Sequence, residues 1–458
     1  MSLLDSSDPR PLHFVGAAGA GMSALAELFA RRGARVTGCD AAGGNADLSR
    51  LGIAVAPAHD PAHADQARAL IVTSAMPHDH PELARARALG IPVIRRAEAL
   101  AEAVAGGVLV GIAGTHGKTT TTVMTTEVLT AAGLAPTGVA GGRVEAWRGN
   151  LSEGGDALFV VEADEYDRSF LALTPDIAVV TNIEADHLDI YRDLEDIRAA
   201  FGEFASRARV LVACADDPAA AALAAPAGDQ VIRYGLESPD ARLIARGLRT
   251  ENGGTAFTPV FDNKTLPMVS LRVPGRHNVL NALAALGAGI ALGADGARMA
   301  EGLGRFAGVE RRFQRIGEAR GVTLVDDYAH HPTEIRATLD AARLAFPGRR
   351  LLAAFQPHLF TRTRDLAAEF GAALAAADLV FLTEIYPARE QPLPGVTSEL
   401  IVRAMKEVRA PLGWRGDRRH LAGALAAAVR DGDVVLTLGA GDITRTGPEL
   451  LAILREGK

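Results

Sequence analysis

The stretch Val108-Leu-Val-Gly-Ile-Ala-Gly-Thr-His-Gly-Lys-Thr-Thr120 constrains this chain more than any other. An apolar run leads into a glycine-bearing loop, then a lysine, a row of threonines and a helix-like segment from Met124 to Ala132. In that order these parts describe a phosphate-binding loop. Amides at the helix start face an anion, Lys118 reaches the terminal phosphates, and the Thr119 hydroxyl can ligate Mg²⁺. The spacing departs from G-x-x-x-x-G-K-[ST], because the first glycine position falls on Ile112, with glycines at Gly111 and Gly114 instead. The strand before and the helix after carry the reading. The chain is expected to use ATP or GTP through Gly114, Thr115, His116, Gly117, Lys118, Thr119 and Thr120.

Short apolar runs alternate with Ala/Leu-rich segments along the whole chain, the pattern of parallel α/β folds. At 458 residues there is room for about three domains. Gly106-Gly107 is a natural hinge before the phosphate loop, and a third block starts near Gln314. The expected division is 1–107, 108–313 and 314–458. Strands are expected at Leu12–Gly16, Arg35–Asp40, Ala69–Thr73 and Ile91–Ile94 in the first block. The second has runs at Ala157–Val161, Ile177–Thr181 and Val210–Ala213, and a Gly/Thr-rich β-like patch from Gly247 to Val273. A long helix is expected from His277 to Leu292, and the alanine tract Ala219–Ala227 reads as helix.

Composition excludes several classes. A net charge of -7 argues against a nucleic-acid binder held by phosphate contacts. Cys39 and Cys214 are the only cysteines, far apart, which fits a reducing compartment and excludes a disulfide framework or a cysteine-based zinc site. No run approaches the ~20 apolar residues of a membrane span. The start lacks a basic region followed by an apolar core, so the expected location is the cytoplasm.

Other segments carry chemistry at expected strand ends. Gly16, Gly19 and Gly21, followed by Met22, lie between a strand and a helix, with Asp40 closing the next strand. That suits a nucleotide diphosphate and its ribose, or a tight turn alone; the spacing suits NAD poorly. Glu162-Ala-Asp-Glu165 follows a buried-strand signal beside the phosphate loop, where carboxylates hold Mg²⁺, although such acids also occur in solvated loops. Glu162 is the best single ligand. Glu184-Ala-Asp-His187 repeats the logic, and His187 is expected at a second divalent ion rather than as a structural histidine. Asn278 and Asn281 share a helix face that could read an adenine edge, or Asn278 could cap the helix. Arg311, in an Arg-Arg pair at the second boundary, could reach a transferring phosphoryl group or sit on the surface. Asp326, Tyr328 and His330 end another strand, where acids suit ribose hydroxyls and Tyr and His suit a second substrate. A zinc pair of His330 and His331 competes but lacks a third ligand.

Taken in order, Gly114–Thr120, Glu162–Glu165, Asn182–Asp189, Pro274–Asn281, Asp326–Glu334, Phe355–Arg364 and Glu384–Ala388 resemble the Mur ligases, the ATP-dependent amide-forming enzymes of peptidoglycan stem-peptide synthesis. The resemblance is closest to the alanine-adding branch. It implies an α/β fold of three domains: an N-terminal Rossmann-like UDP-binding domain, a central P-loop ATPase with a mainly parallel sheet, and a C-terminal Rossmann-like domain for the amino acid. It implies ATP with two Mg²⁺, and UDP-N-acetylmuramate and L-alanine as substrates. By resemblance Gly16, Gly19, Gly21, Met22, Asp40 and Ser74 meet the UDP-sugar. Asn278, Asn281 and Asp326 join the loop at ATP, while Thr119, Glu162 and His187 hold metal. Lys118, His187, Arg311 and His330 act in catalysis, and Tyr328, His330 and Arg362 hold the amino acid. Many Mur ligases carry a carbamylated lysine near the second metal, but no lysine lies between Lys118 and Lys264, as in the alanine-adding branch. Leu359 stands where that branch commonly has arginine, which leaves Arg362 as the expected carboxylate contact. A tripeptide-recycling ligase of the same superfamily is the near alternative. A non-ligating P-loop protein and a dehydrogenase are the distant ones.

Overall fold

The computed structural model describes the chain except residues 1, 2, 6, 7, 74, 75, 78, 189, 224–229, 457 and 458. Ser74 therefore lies outside the described residues. Three sheets organise the fold. The first holds β1 (Leu12–Val15), β2 (Val36–Cys39), β3 (Ala54–Ala56), β4 (Ala69–Val72) and β5 (Val93–Arg95) in the order β3-β2-β1-β4-β5. Its strands pair in parallel. β1 and β4 are buried throughout because helices cover both faces of such a sheet. The order reverses between β1 and β4, which opens a crevice at their carboxyl ends, where the Gly16–Gly21 loop leaves β1.

The second sheet is built from β6 (Val108–Ala113), β7 (Thr137–Val144), β8 (Gly149–Ser152), β9 (Leu158–Glu162), β10 (Ile177–Val180), β11 (Val210–Cys214), β12 (Val231–Gly235), β13 (Leu243–Glu251), β14 (Gly254–Phe261), β15 (Lys264–Thr265) and β16 (Val269–Leu271). Its order is β15-β14-β13-β12-β11-β10-β6-β9-β7-β8, with β16 on β14. The strands from β7 to β13 in this order run parallel, and antiparallel pairs such as β7–β8 and β14–β15 lie toward its margins. The decisive neighbours are β10-β6-β9, because register sets Val180 beside Ala113 and Ile112 beside Glu162. Three carboxyl ends thus lie in a row, with the phosphate loop in the middle.

The third sheet takes β17 (Gln314–Ala319), β18 (Val322–Asp327), β19 (Leu351–Phe355), β20 (Leu379–Thr383), β21 (Leu412–Gly416) and β22 (Val434–Leu438) in the order β17-β18-β22-β19-β20-β21. Only β17 pairs antiparallel. Alternate residues of β18, β19 and β22 feed two separate cores: Val325, Leu436 and Phe355 on one face, Leu324, Val435 and Leu352 on the other. That is the burial of a sheet covered twice.

The three sheets are those of a three-domain α/β chain, which contacts group into two compact units. One compact unit comprises Met1–Gly247, Phe257–Val269 and Leu280–Phe306; the other comprises Leu248–Ala256, Ser270–Val279 and Ala307–Lys458. The first sheet and most of the second lie in the first unit, linked by ion pairs such as Arg31–Glu153 at 2.6 Å and Arg143–Asp47 at 3.1 Å. The Gly106-Gly107 hinge is a short turn between a helix ending at Val104 and β6. The long helix runs Arg276–Ala291, within one residue of the expected His277–Leu292. In the alanine tract Ala219–Ala227, helix is described at Pro218–Ala221, and residues 224–227 lie outside the described residues.

Candidate active site

In the first unit the loop from Ala113 to Lys118 turns directly into the helix Lys118–Ala131, whose start no side chain caps. Its first amides face outward from the positive end of the helix, the arrangement that receives phosphate. Gly114, at φ +142°, admits no side chain, since a Cβ would fall 1.9 Å from the Thr181 hydroxyl. The loop is fastened to the end of β10. The His116 amide donates to Asn182 Oδ1 at 2.8 Å, Asn182 Nδ2 donates to the His116 carbonyl at 3.1 Å, and Thr181 Oγ1 donates to it at 2.6 Å. These bonds fix the loop backbone at His116 to the end of β10.

The acids meet the loop from β9. Thr119 Oγ1 donates to Glu162 Oε1 at 3.0 Å, and the Gly141 amide donates to Glu162 Oε2 at 2.5 Å. Lys118 Nζ donates to the carbonyls of Gly114 and Thr115 at 2.6 and 3.1 Å and pairs with Glu165 at 2.8 Å. Burial works to discharge Lys118, but Glu165, Asp164 and Glu162 outweigh it and hold the ammonium above its usual range. Burial pushes Glu165 up to about 7, with Lys118 pulling the other way. His187, at φ +54°, brings Nε2 to 3.8 Å from both Glu165 Oε1 and Asp186 Oδ2. Asn281 Oδ1 accepts from Thr121 at 3.3 Å, which sets one amide beside the loop helix. Asn278 instead donates to the Pro274 carbonyl at 2.8 Å, at the opening of its own helix.

At the first sheet, Asp40 accepts from the Ala18 and Ala42 amides, each at 2.9 Å, so the carboxylate shapes the glycine loop. Met22 is buried at 3% exposure, facing the core. Arg96 lies against Gly21 and pairs with Asp164 at 3.4 Å, which ties the glycine loop to the acidic segment after β9.

In the second unit, Asp326 and Asp327 end β18, and the segment after β19 begins on the other side of β22. Asp326 is buried, and its carboxylate accepts from Thr437, Thr444 and Arg311. Arg311 also donates to the Gly439 carbonyl at 2.6 Å and lies over the Tyr328 ring with Arg312, so the arginine pair is built into the fold rather than left on the surface. Burial lifts Asp327 to about 6 against the pull of Arg312. His330 Nδ1 is 2.9 Å from the Tyr328 carbonyl, and its ring meets Tyr328 and His358 edge-on. Arg362, buried, reaches His358 Nδ1 at 3.4 Å. Leu359 is 4% exposed at φ +70°. An arginine there would displace core packing, so Leu359→Arg carries a packing cost besides its added charge.

Several members of these sites escape sequence reasoning. Thr181 and Asn182 brace the loop, Glu165 pairs with Lys118, Arg96 links two loops, and His358 bridges His330 and Arg362. The signal for Glu165 was its place in the acidic run; for the others only the strand order reveals the neighbourhood.

The model for the Mur ligase family catalytic domain matches residues 11–107, that for the Mur ligase middle domain residues 112–289, and that for the Mur ligase glutamate ligase domain residues 311–441. The chain is similar to the UDP-N-acetylmuramate–L-alanine ligase of Kineococcus radiotolerans, at 47% identity over 97% of this chain and 96% of that one. Among solved structures it resembles the UDP-N-acetylmuramate–alanine ligase of Thermotoga maritima, with a TM-score of 0.83 and 29% identity over 98% of this chain and 100% of that one. A murein peptide ligase from Psychrobacter arcticus shares the fold at a TM-score of 0.73 and 24% identity, over 98% and 99% of the two chains.

Proposed function

The chain belongs to the Mur ligase family, and we propose that it joins L-alanine to the lactyl carboxylate of UDP-N-acetylmuramate, driven by ATP, in peptidoglycan precursor synthesis. The 47% identity to an L-alanine ligase over nearly the whole chain carries the choice of substrates. A carboxylate is a poor electrophile toward an amine. Transfer of the γ-phosphoryl group of ATP to a lactyl oxygen makes an acyl phosphate, ADP leaving. The amine of L-alanine then attacks the acyl carbon, and inorganic phosphate departs as the amide forms.

Each group of residues has a task in that sequence. The helix start at Lys118–Thr120 and the Lys118 ammonium hold the β- and γ-phosphates. Gly16, Gly19, Gly21 and Asp40 form the handle for the UDP-sugar. Asn278, Asn281 and Asp326 serve the nucleoside of ATP, Asp326 by exchanging one of its present hydroxyl partners for a ribose. Arg311 offsets charge on the transferring phosphoryl group, and His330 with Tyr328 orients the amino acid. Mur ligases usually need Mg²⁺, and the oxygen-rich set of Thr119 and Glu162, 3.0 Å apart, fits a hard divalent cation, with His187 at a second ion. Bound there, Mg²⁺ supplies positive charge against the converging anions. The proposed reaction draws on the ATP of the cytoplasm. Among the described residues no helix is long and apolar enough to cross a membrane.

Phosphate release with ATP, Mg²⁺ and UDP-N-acetylmuramate, run against L-alanine, L-serine, glycine and the recycled tripeptide, tests the assignment. L-Alanine is expected to give the highest kcat/KM. Preference for the tripeptide would make this a recycling ligase.

Arg362 is proposed to hold the carboxylate of the amino acid. Arg362→Ala should raise the KM for L-alanine roughly 10- to 150-fold, the loss of a charge-assisted contact of ~1.5–3 kcal/mol, and leave that for ATP nearly unchanged. An unchanged KM for L-alanine would place the carboxylate elsewhere.

A further inference from the structure

Away from the phosphate loop, the first sheet gathers metal-ligating side chains from four separate elements. His13 lies on β1, Cys39 ends β2, His63 sits in the short turn Pro61–Gln66, and Glu82 opens the helix Pro81–Ala88. One donor atom from each lies within 4.8 Å of every other. We propose that these four residues form a zinc site, distinct from the Mg²⁺ chemistry of ligation.

The separations, from 2.9 to 3.8 Å, bracket the edges of a coordination shell. Zn–N and Zn–S bonds of about 2.0 and 2.3 Å set the edges of a tetrahedron at roughly 3.3–3.7 Å. Cys39 Sγ is 3.4 Å from His13 Nε2 and 3.2 Å from Glu82 Oε1; Glu82 Oε2 is 3.8 Å from His13 Nε2, and His63 Nδ1 is 2.9 Å from Glu82 Oε1. The supporting groups also fit. Thr37 Oγ1 takes His13 Nδ1 at 2.9 Å, which leaves Nε2 facing the centre, and the Asp60 amide fixes Glu82 Oε1 at 2.8 Å. A thiolate, a carboxylate and two neutral imidazoles bring two negative charges, so Zn²⁺ leaves the buried cluster neutral. Without the ion, Glu82, at 0% exposure, is a buried carboxylate among imidazoles and a thiol. One thiolate with two imidazoles selects a borderline-soft cation over Mg²⁺. His63 and His59 are about a quarter exposed and give an entry route, His59 Nδ1 lying 3.1 Å from the thiol. The proposal departs from the expectation that two distant cysteines leave no cysteine-based zinc site, which holds for several thiols and not for one thiol among imidazoles and a carboxylate. Its ligands are too scattered along the chain to make a motif.

Co²⁺ replaces Zn²⁺ in such sites and reports a cysteine ligand through a thiolate-to-cobalt absorption band in the near ultraviolet. The full chain, stripped with a chelator and titrated with Co²⁺ in excess Mg²⁺, should develop that band at one ion per chain, and Zn²⁺ should erase it. Cys39→Ser should lose the band, while Cys214→Ser, altered at the distant end of β11, should keep it. His63→Ala, on a partly exposed ring, should weaken Co²⁺ binding by at least the roughly 10- to 100-fold lost with an outer-shell partner. A wild-type chain without the band, or Cys39→Ser retaining it, would overturn the proposal; if Cys39→Ser fails to fold, unchanged affinity in His63→Ala does so.

Discussion

Lys118→Ala is expected to cut ligation by on the order of 10²- to 10³-fold or more in a chain that still folds, the scale of losing a charge-stabilising donor in a transition state. Lys118 is the proposed counter-charge at the β- and γ-phosphates, and no other lysine lies within the loop or on its helix. The fold survives because the partner can adapt. Glu165 sits near 7 with Lys118 beside it, so loss of the ammonium moves its carboxyl higher and leaves it neutral instead of a buried lone charge. This has a pH signature. A carboxyl raised in the folded state binds its proton more tightly there than when unfolded, so stability is greatest below the unfolded value of 4.5 and falls as pH rises through about 7. In Lys118→Ala that fall should extend to higher pH, and Lys118→Ala/Glu165→Gln should remove it. Thermal unfolding across pH 5–9, alongside phosphate release, checks both halves. Near-normal turnover in folded Lys118→Ala would remove the loop from the mechanism.

Glu162→Ala and His187→Ala should each lower turnover by on the order of 10²-fold or more and raise the Mg²⁺ needed for half-maximal rate. The two should differ. Glu162 shares a hydrogen bond with Thr119 of the phosphate loop, so its loss acts on the ion nearest the phosphates. His187 approaches through Glu165 and Asp186, one strand away across β6. Titrating rate against Mg²⁺ separates them: Glu162→Ala should show the larger shift. A His187→Ala enzyme with wild-type Mg²⁺ dependence would remove the second-ion assignment.

The parts legible in the sequence are those whose chemistry is local. A strand, a glycine loop and a helix follow one another in the chain, so the phosphate loop could be read with its lysine and hydroxyl. Buried parallel strands such as β4 and β10 are continuous apolar runs and read as well. What stayed hidden depends on which strands are neighbours. Nothing in the run from Thr181 to Asn182 announces that it braces a loop more than sixty residues earlier; β10 beside β6 does. Arg96 meets Asp164, and His358 meets Arg362, through contacts of the same kind. β7 and β8 carry glycine, asparagine and arginine, and their weak patterning hid them. Gly106-Gly107 lies in the turn between the helix ending at Val104 and β6, a break that adjacent glycines mark in the sequence. Leu359 was legible as a substitution and not as a buried residue at positive φ, which only the backbone shows.

The central claim is that the lactyl carboxylate is activated as an acyl phosphate before L-alanine attacks. UDP-N-acetylmuramate labelled with ¹⁸O in that carboxylate, incubated with ATP, Mg²⁺ and L-alanine, tests it in one step. The oxygen that accepts the γ-phosphoryl group stays with phosphorus when the amine displaces phosphate. Mass spectrometry of the product phosphate should therefore find one ¹⁸O per phosphate, formed only when UDP-N-acetylmuramate and L-alanine are both present. Unlabelled phosphate released in step with amide formation would contradict the account.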